Sequence, residues 1–254
     1  MKNEYDDFRK EVKEFCSKHK GVQLIGNLYG KYESIKRGRS VDSDGKITFY
    51  NTEGGILKTK PIPVGINIES VLERNINAIG GLDKMSTTKN ISLKYEAEIE
   101  GTPMKLDMEI SYKQPNLFYM SMNAGNFGEI MGMKYNGKKC ITSGMQGGKE
   151  LSDEEIKKEL NSFYPFPIIN SDQLQITFEL KEIEEIKGRD TYKVIQRDSF
   201  NQEKTMYFDL ENGYLVKEIY TEDTEGMSVQ TIQEYYNYAN YDGLYFAKDM
   251  TTTQ

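Results

Sequence analysis

The alternation of apolar and polar side chains is sharpest between residues 91 and 113. Ile91, Leu93, Tyr95, Ala97 and Ile99 alternate with Ser92, Lys94, Glu96, Glu98 and Glu100. After Gly101-Thr102-Pro103, Met104, Leu106, Met108, Ile110 and Tyr112 alternate with Lys105, Asp107, Glu109, Ser111 and Lys113. A period of two puts the first set of each run on one face of a sheet and the second set in water. The same reading predicts strands at 117–123, 129–135 and 139–143, the last two joined by Asn136-Gly137, a strong hairpin signal. A second series is predicted at 174–186, 191–197, 205–210, 214–221, 228–238 and 244–251. Turns at Gly188-Arg189-Asp190, Asn212-Gly213 and Asp242-Gly243 punctuate it. About ten sequential strands joined by short turns predict an antiparallel meander.

Elsewhere the apolar period lengthens to three and four. Tyr5, Phe8, Val12, Phe15 and Cys16 predict an amphipathic helix over 3–19, stopped by Gly21. Short strands are expected at 22–25 and 46–50, with turns at Asp42-Ser43-Asp44-Gly45 and Glu53-Gly54-Gly55. Asn67 can cap a second helix, with Ile68, Val71, Leu72, Ile76 and Ile79 on one stripe and Gly80-Gly81 at its end. Ser152 and Glu155 form a capping-box pair for a third helix running to Phe163, broken by Tyr164-Pro165-Phe166-Pro167. Lys58-Thr59-Lys60-Pro61-Ile62-Pro63 reads as an extended linker, because two prolines in three residues restrict the backbone. The expected organisation is a small N-terminal α+β segment, 1–66, followed by a mainly β (α+β) domain, 67–254. That domain is a curved antiparallel sheet or incomplete β-barrel wrapped around helices, with a cleft between helix and sheet as the usual place for a ligand.

Seven of the twelve methionines lie between Met104 and Met145. An apolar face built from unbranched, polarizable side chains adapts to irregular packing or to a greasy ligand of variable shape. Plain core and ligand pocket both fit that pattern, and the run Met120, Met122, Phe127, Met131, Met133 continues it across a turn.

The net charge of −7 argues against nucleic-acid binding, which needs clustered Lys and Arg. The one basic cluster, Lys36-Arg37-Gly38-Arg39, reads as a solvated loop. No stretch approaches the roughly 18 apolar residues that cross a bilayer, and the charged N-terminus does not read as a secretory signal. The chain is therefore expected to be cytoplasmic, or a mature or trimmed form of an exported protein.

Candidate chemistry is sparse. The single histidine, His19, lies between Lys18 and Lys20, a poor setting for a general base. Cys16 and Cys140 fit no metal or redox spacing; two inert thiols or a disulfide between them both remain open. A zinc site needs about three or four ligands at workable spacing, so no metal and no cofactor are expected. Asp42-Ser43-Asp44-Gly45 imitates the start of a calcium loop but lacks the later ligands. The glycine-rich runs at 125–128 and 144–148 lack the Lys-Ser/Thr sequel of a phosphate loop. Asp153-Glu154-Glu155 is the acidic first turn expected of a helix, and Glu182, Glu184 and Glu185 read as solvated strand residues.

From Ile68 onward, over about three quarters of the chain, an ordered set of stretches carries a family likeness: Asn77-Ala78-Ile79-Gly80-Gly81; YEAEIEGTPMKLDMEISYKQPNLFY from Tyr95; Tyr135-Asn136-Gly137 with Ser143-Gly144-Met145-Gln146-Gly147; Ile186-Lys187-Gly188-Arg189-Asp190-Thr191-Tyr192-Lys193-Val194; Met206-Tyr207-Phe208-Asp209 with Asn212-Gly213-Tyr214-Leu215-Val216; and Asp242-Gly243-Leu244-Tyr245-Phe246. The chain thereby resembles the LolA-like outer-membrane lipoprotein-sorting superfamily, in the versions found at the C-terminal end of Bacteroidetes pitrilysin/insulinase-like zinc peptidases. The resemblance implies an incomplete barrel with an apolar cavity for acyl chains, working in the periplasm or at the outer membrane. It also implies that 1–66 is the remnant of a peptidase-like domain; the peptidase zinc motif itself is missing, so proteolysis is not expected. The function expected is non-enzymatic binding or carriage of a lipid, lipoprotein acyl chain or other hydrophobic ligand. The contact residues expected are Met104, Leu106, Met108, Phe118, Met120, Met122, Met131 and Met133. The rival expectation is a structural module that docks to a peptidase-like or envelope protein partner and holds no ligand.

Overall fold

The computed structural model describes residues 38–41, 47–50, 59–145, 147–224 and 227–254. The helix expected over 3–19, with Cys16 and His19, the strand at 22–25 and the turns at 42–45 and 53–55 lie outside the described residues. The chain divides into two compact units, Met1–Ile66 with Lys181–Lys193, and Asn67–Leu180 with Val194–Gln254.

In the first unit, β1 (Gly38–Val41) pairs antiparallel with β2 (Ile47–Tyr50). Thr59–Lys60 is a short strand, β3, and not free linker: Lys60 and Thr59 oppose Ile183 and Glu184. Lys60 also pairs with Asp190 at 2.5 Å. Pro61 and Pro63 then end the pairing, since proline brings no N–H to a ladder. Lys193 bridges Glu182 at 3.4 Å and Glu184 at 3.2 Å.

The second unit follows the meander expectation, divided between two sheets. The first contains β4 (Asn90–Glu98), β5 (Lys105–Lys113), β6 (Leu117–Asn123), β7 (Glu129–Tyr135), β8 (Cys140–Gly144) and β9 (Lys149–Glu150), each paired with its sequence neighbours. Of the other sheet, the second unit holds β12 (Glu203–Asp209), β13 (Leu215–Thr224), β14 (Met227–Tyr241) and β15 (Leu244–Thr253), in sequence order; β10 (Thr177–Ile186) and β11 (Arg189–Arg197), which precede them, have most of their residues in the first unit. The break has a local cause. After the two-residue β9, the Ser152–Glu155 capping box starts a helix and takes the chain off the sheet edge.

Four helices are described in this unit: α1 (Ile68–Ala78), α2 (Leu82–Thr87), α3 (Asp153–Glu159) and α4 (Ser171–Leu174). A single turn of 3₁₀ helix, Leu160–Phe163, prolongs α3. Neither α2 nor α4 was expected from the apolar pattern; both are shorter than the window over which a helical period can be read. At α1 the Asn67 side chain accepts from Ser70 N–H while Ser70 caps in return.

Helix α1 is docked through backbone groups of two hairpin turns. Asn75, buried, donates to Gly213 O at 2.9 Å, and Arg74 donates to Glu211 O at 2.7 Å. The Asp209 carboxylate builds that turn by accepting from the N–H groups of Glu211 and Asn212. At the other end of α1, Tyr245 N–H donates to Ile79 O at 3.1 Å, and Lys84 bridges Asp242 at 2.9 Å. A Cβ at Gly80 would stand 2.5 Å from Gly243 O, so only glycine lets the helix end approach this closely.

Two apolar clusters lie among the described residues of this unit. One joins Phe118, Tyr135 and Cys140 to Leu151, Ile156, Phe163, Tyr164, Leu174 and Ile176. The other joins Met85, Ile91, Phe166 and Leu244, with Ile76, Ile79, Leu93 and Phe246 against them. Cys140 is fully buried with a free thiol, and burial pushes its pKa up.

Candidate functional site

Strand register lays the apolar face of the first sheet out in rows. Ile91, Tyr112, Phe118, Tyr135 and Cys140 oppose one another in turn across five strands. The next row is Leu93, Ile110, Met120, Met133 and Thr142, and the one after it Tyr95, Met108, Met122, Met131 and Gly144. Residues paired across a ladder share a face, so this is one continuous apolar surface.

Its cover is uneven. The first row lies under the segment that follows α3: Phe163 is fully buried, stacks on Tyr135 at 4.2 Å and meets Phe118 at 5.5 Å. In the second row Ile110, Met120 and Met133 still pack on that cluster but are only half-buried. In the third row Met108 and Met122 are half-buried and Met131 is 51% exposed. Leu106, one row farther, is buried again, as is Ala124 beside the 3₁₀ turn Gly125–Phe127. Register thus brings Met108, Phe118, Met120, Met122, Met131 and Met133 together on three adjacent rows, with Phe118 sealed into the core. Met104 lies outside β5, in the turn before it, and is exposed.

Tyrosines of the second sheet lie close to the third row. Burial and the neighbouring Tyr241 raise the pKa of Tyr95. Burial, helped by Tyr95, pushes Tyr112 up to about 12. Tyr238 is raised by burial, then by Glu218, Tyr214 and Tyr95, so its ring is within electrostatic reach of both sheets. It stacks on Tyr214 at 4.2 Å and donates to Leu215 O at 2.8 Å. Tyr235 donates to Glu218 Oε2 at 2.7 Å, and burial with that carboxylate raises its pKa strongly. Residues 235 and 238 would take opposite faces of a regular strand. Asn237 between them has φ 52°, and this left-handed residue brings both tyrosines toward Glu218.

This tyrosine and glutamate set escaped the sequence reading. The signal was present: Glu218 interrupts the apolar run Val216, Leu215 and Ile219, and five tyrosines crowd between residues 235 and 245. The reversal at Asn237 hid which of them face inward.

A groove of about 480 Å³ is lined by residues 90–92, 111–113 and 117–119, among them Ile91, Tyr112 and Phe118 of the first row. Asn90, Lys113 and Leu117 oppose one another there, as do Ser92, Ser111 and Tyr119. Among the described residues no three His, Cys, Asp or Glu side chains are placed to hold a metal ion. No helix among them is long and apolar enough to cross a membrane.

No protein-family profile matches the chain, and no curated protein matches it. Among solved structures it is similar to a LolA superfamily protein from Nitrosomonas europaea, at 12% identity and a TM-score of 0.47 over 74% of this chain and 86% of that one. It is also similar to a DUF1329 family protein from Desulfovibrio piger, at 9% identity and a TM-score of 0.48 over the same shares. At these identities and TM-scores the likeness carries no functional weight.

Proposed function

We propose that this protein binds a hydrophobic ligand, such as a lipid or a lipoprotein acyl chain, on the methionine face of its first sheet, and carries it in the cell envelope without altering it chemically. One observation carries the reading: on a single apolar surface the Phe118 row is sealed, while Met108, Met120, Met122 and Met133 are half-buried and Met131 is 51% exposed. A core that only needs filling has no use for such a gradient. A face that receives an apolar chain needs one end anchored and the other open. Covering the remaining surface of a half-buried methionine contributes about 1 kcal/mol or less, part of the roughly 1.5–3 kcal/mol of a fully exposed one. The envelope location, periplasmic or outer-membrane associated, follows from the sequence resemblance; the separation of residues 1–66 from 67–254 follows from the proline-containing segment 58–63. Native mass spectrometry of the purified protein, with titration of a fluorescent fatty-acid probe, tests the reading. Retained lipid or saturable probe binding is expected; neither one appearing would overturn it.

A docking module for a peptidase-like or envelope protein is the second reading, favoured by the turns at one end of the sheet. Ile99, Met104, Phe127 and Met145 are all exposed there, beside Met131. Replacing Phe127 and Met145 with serine leaves probe binding intact under the carrier reading, and a docking module binds no probe in either form.

A further inference from the structure

Four methionines stand at the corners of a rectangle on two adjacent strands. Met120 and Met122 lie two residues apart on β6, and Met131 and Met133 two apart on β7; register opposes Met120 to Met133 and Met122 to Met131. Residues two apart share a face, and directly opposed ones have Cβ atoms roughly 5 Å apart. The four therefore bound a patch of roughly 5 by 7 Å, across which long flexible side chains can bring their sulfur atoms together. Gly144, opposite Met131 on β8, adds no side chain there; a Cβ would stand 2.6 Å from Ile130 O. Met131 is 51% exposed and the other three are half-buried. The patch is thus open to an arriving ion and partly shields it once bound.

A face that needs only oil is served by the β-branched and aromatic residues that strands favour. What methionine adds is a soft, polarizable donor atom. Among the described residues no three His, Cys, Asp or Glu side chains gather to hold an ion, so the donor sets that zinc or copper(II) prefer are lacking there. Thioethers are neutral and leave a bound ion its full charge, which an apolar face tolerates better for a monovalent than for a divalent ion. A soft monovalent cation meets both limits.

We propose that Met120, Met122, Met131 and Met133 form a thioether site for copper(I). The ion enters at the exposed Met131 and exchanges its bound water for sulfur, with no change of oxidation state. The site is independent of the carrier reading, because leucine at these positions keeps the oily face and removes the donors.

The test is anaerobic titration of the full chain with copper(I), kept reduced by ascorbate and buffered by the coloured chelator bicinchoninate. The protein should withdraw one ion per chain from the chelator, and X-ray absorption should show a sulfur shell. Cys16 and Cys140 are soft donors too, so the variants decide between the two kinds of sulfur. Met131→Leu should weaken binding roughly tenfold, the lower end of what disturbing a metal's surroundings costs. Adding Met120→Leu, Met122→Leu and Met133→Leu should abolish it. Leucine conserves side-chain volume, and a cooperative melt checks that each variant folds. Should the fourfold variant fail to fold, Met131→Leu decides against a control, Met104→Leu with Met145→Leu. The control alters two exposed methionines outside the rectangle and should leave affinity unchanged. Copper(I) uptake that persists undiminished in the leucine variants belongs to the cysteines and overturns the proposal. So does an intact protein that takes no copper(I) from the chelator, or a control that weakens binding as much as Met131→Leu. Loss of copper(I) with the fatty-acid probe still bound supports the site; an intact protein that binds copper(I) but no probe overturns the carrier reading alone.

Discussion

Phe163 holds the sealed end of the apolar face in place. Its ring is fully buried, stacked on Tyr135 and tilted against Phe118. Phe163→Ala removes a packed ring from a site that close-packed neighbours cannot fill, and should cost about 3–5 kcal/mol in urea denaturation. Tyrosine ionisation supplies a second test at this scale. Tyr112 is raised from 10.0 to about 12, and Tyr95 and Tyr238 are raised in the same direction. The neutral phenol is thus favoured by folding, so its contribution is complete below the unfolded pKa and is lost as pH rises through the folded one. Stability should be level up to pH 10 and fall between 10 and 12. Tyr112→Phe should flatten part of that fall, measured by thermal melts across the range. The methionines were legible as a face at this scale because alternation is a local property. Glu218 was not, because its company depends on which strands lie beside β13.

Helix α1 is positioned by contacts that no periodicity reports. Its apolar stripe was readable, and Val71, Ile76 and Ile79 do turn inward. The docking onto the Gly213 and Gly243 turns was not readable, because it is made by backbone oxygens a long way off in sequence. Gly80 has φ 131° and no room for a Cβ beside Gly243 O. Gly80→Ala should therefore cost about 1–3 kcal/mol, through backbone strain and separation of the two elements, read as a lowered melting temperature. The Ser152–Glu155 capping box was visible in sequence because both halves lie within one turn of chain, and it forms. The strand Thr59–Lys60 was misread as linker, because its partner, β10, lies far along the chain.

Across the larger unit, binding and stability should separate along the row gradient. Met108→Lys with Met122→Lys places two cations in the half-open row. Fluorescent-probe affinity should fall at least tenfold, about 1.4 kcal/mol, while the melting temperature changes little, because both side chains can still reach water. Phe118→Ala should do the reverse, lowering the melting temperature and leaving the open row to bind. If the two substitutions affect binding and melting alike, the face is ordinary core.

Local sequence determined most of the strands, their order and the apolar side of β4 and β5, because side-chain direction alternates every residue and the turns are too short to let neighbours separate. It determined two helix starts for the same reason, since a cap and its partner lie three residues apart. Only the tertiary structure decided that the meander divides after β9, that the segment ending in Phe163 covers one end of the methionine face and leaves the other half-open, and that Asn237 turns two tyrosines toward a buried glutamate. Each of these depends on where distant segments come to rest, a matter of competing packing over the whole molecule that no short window of sequence contains.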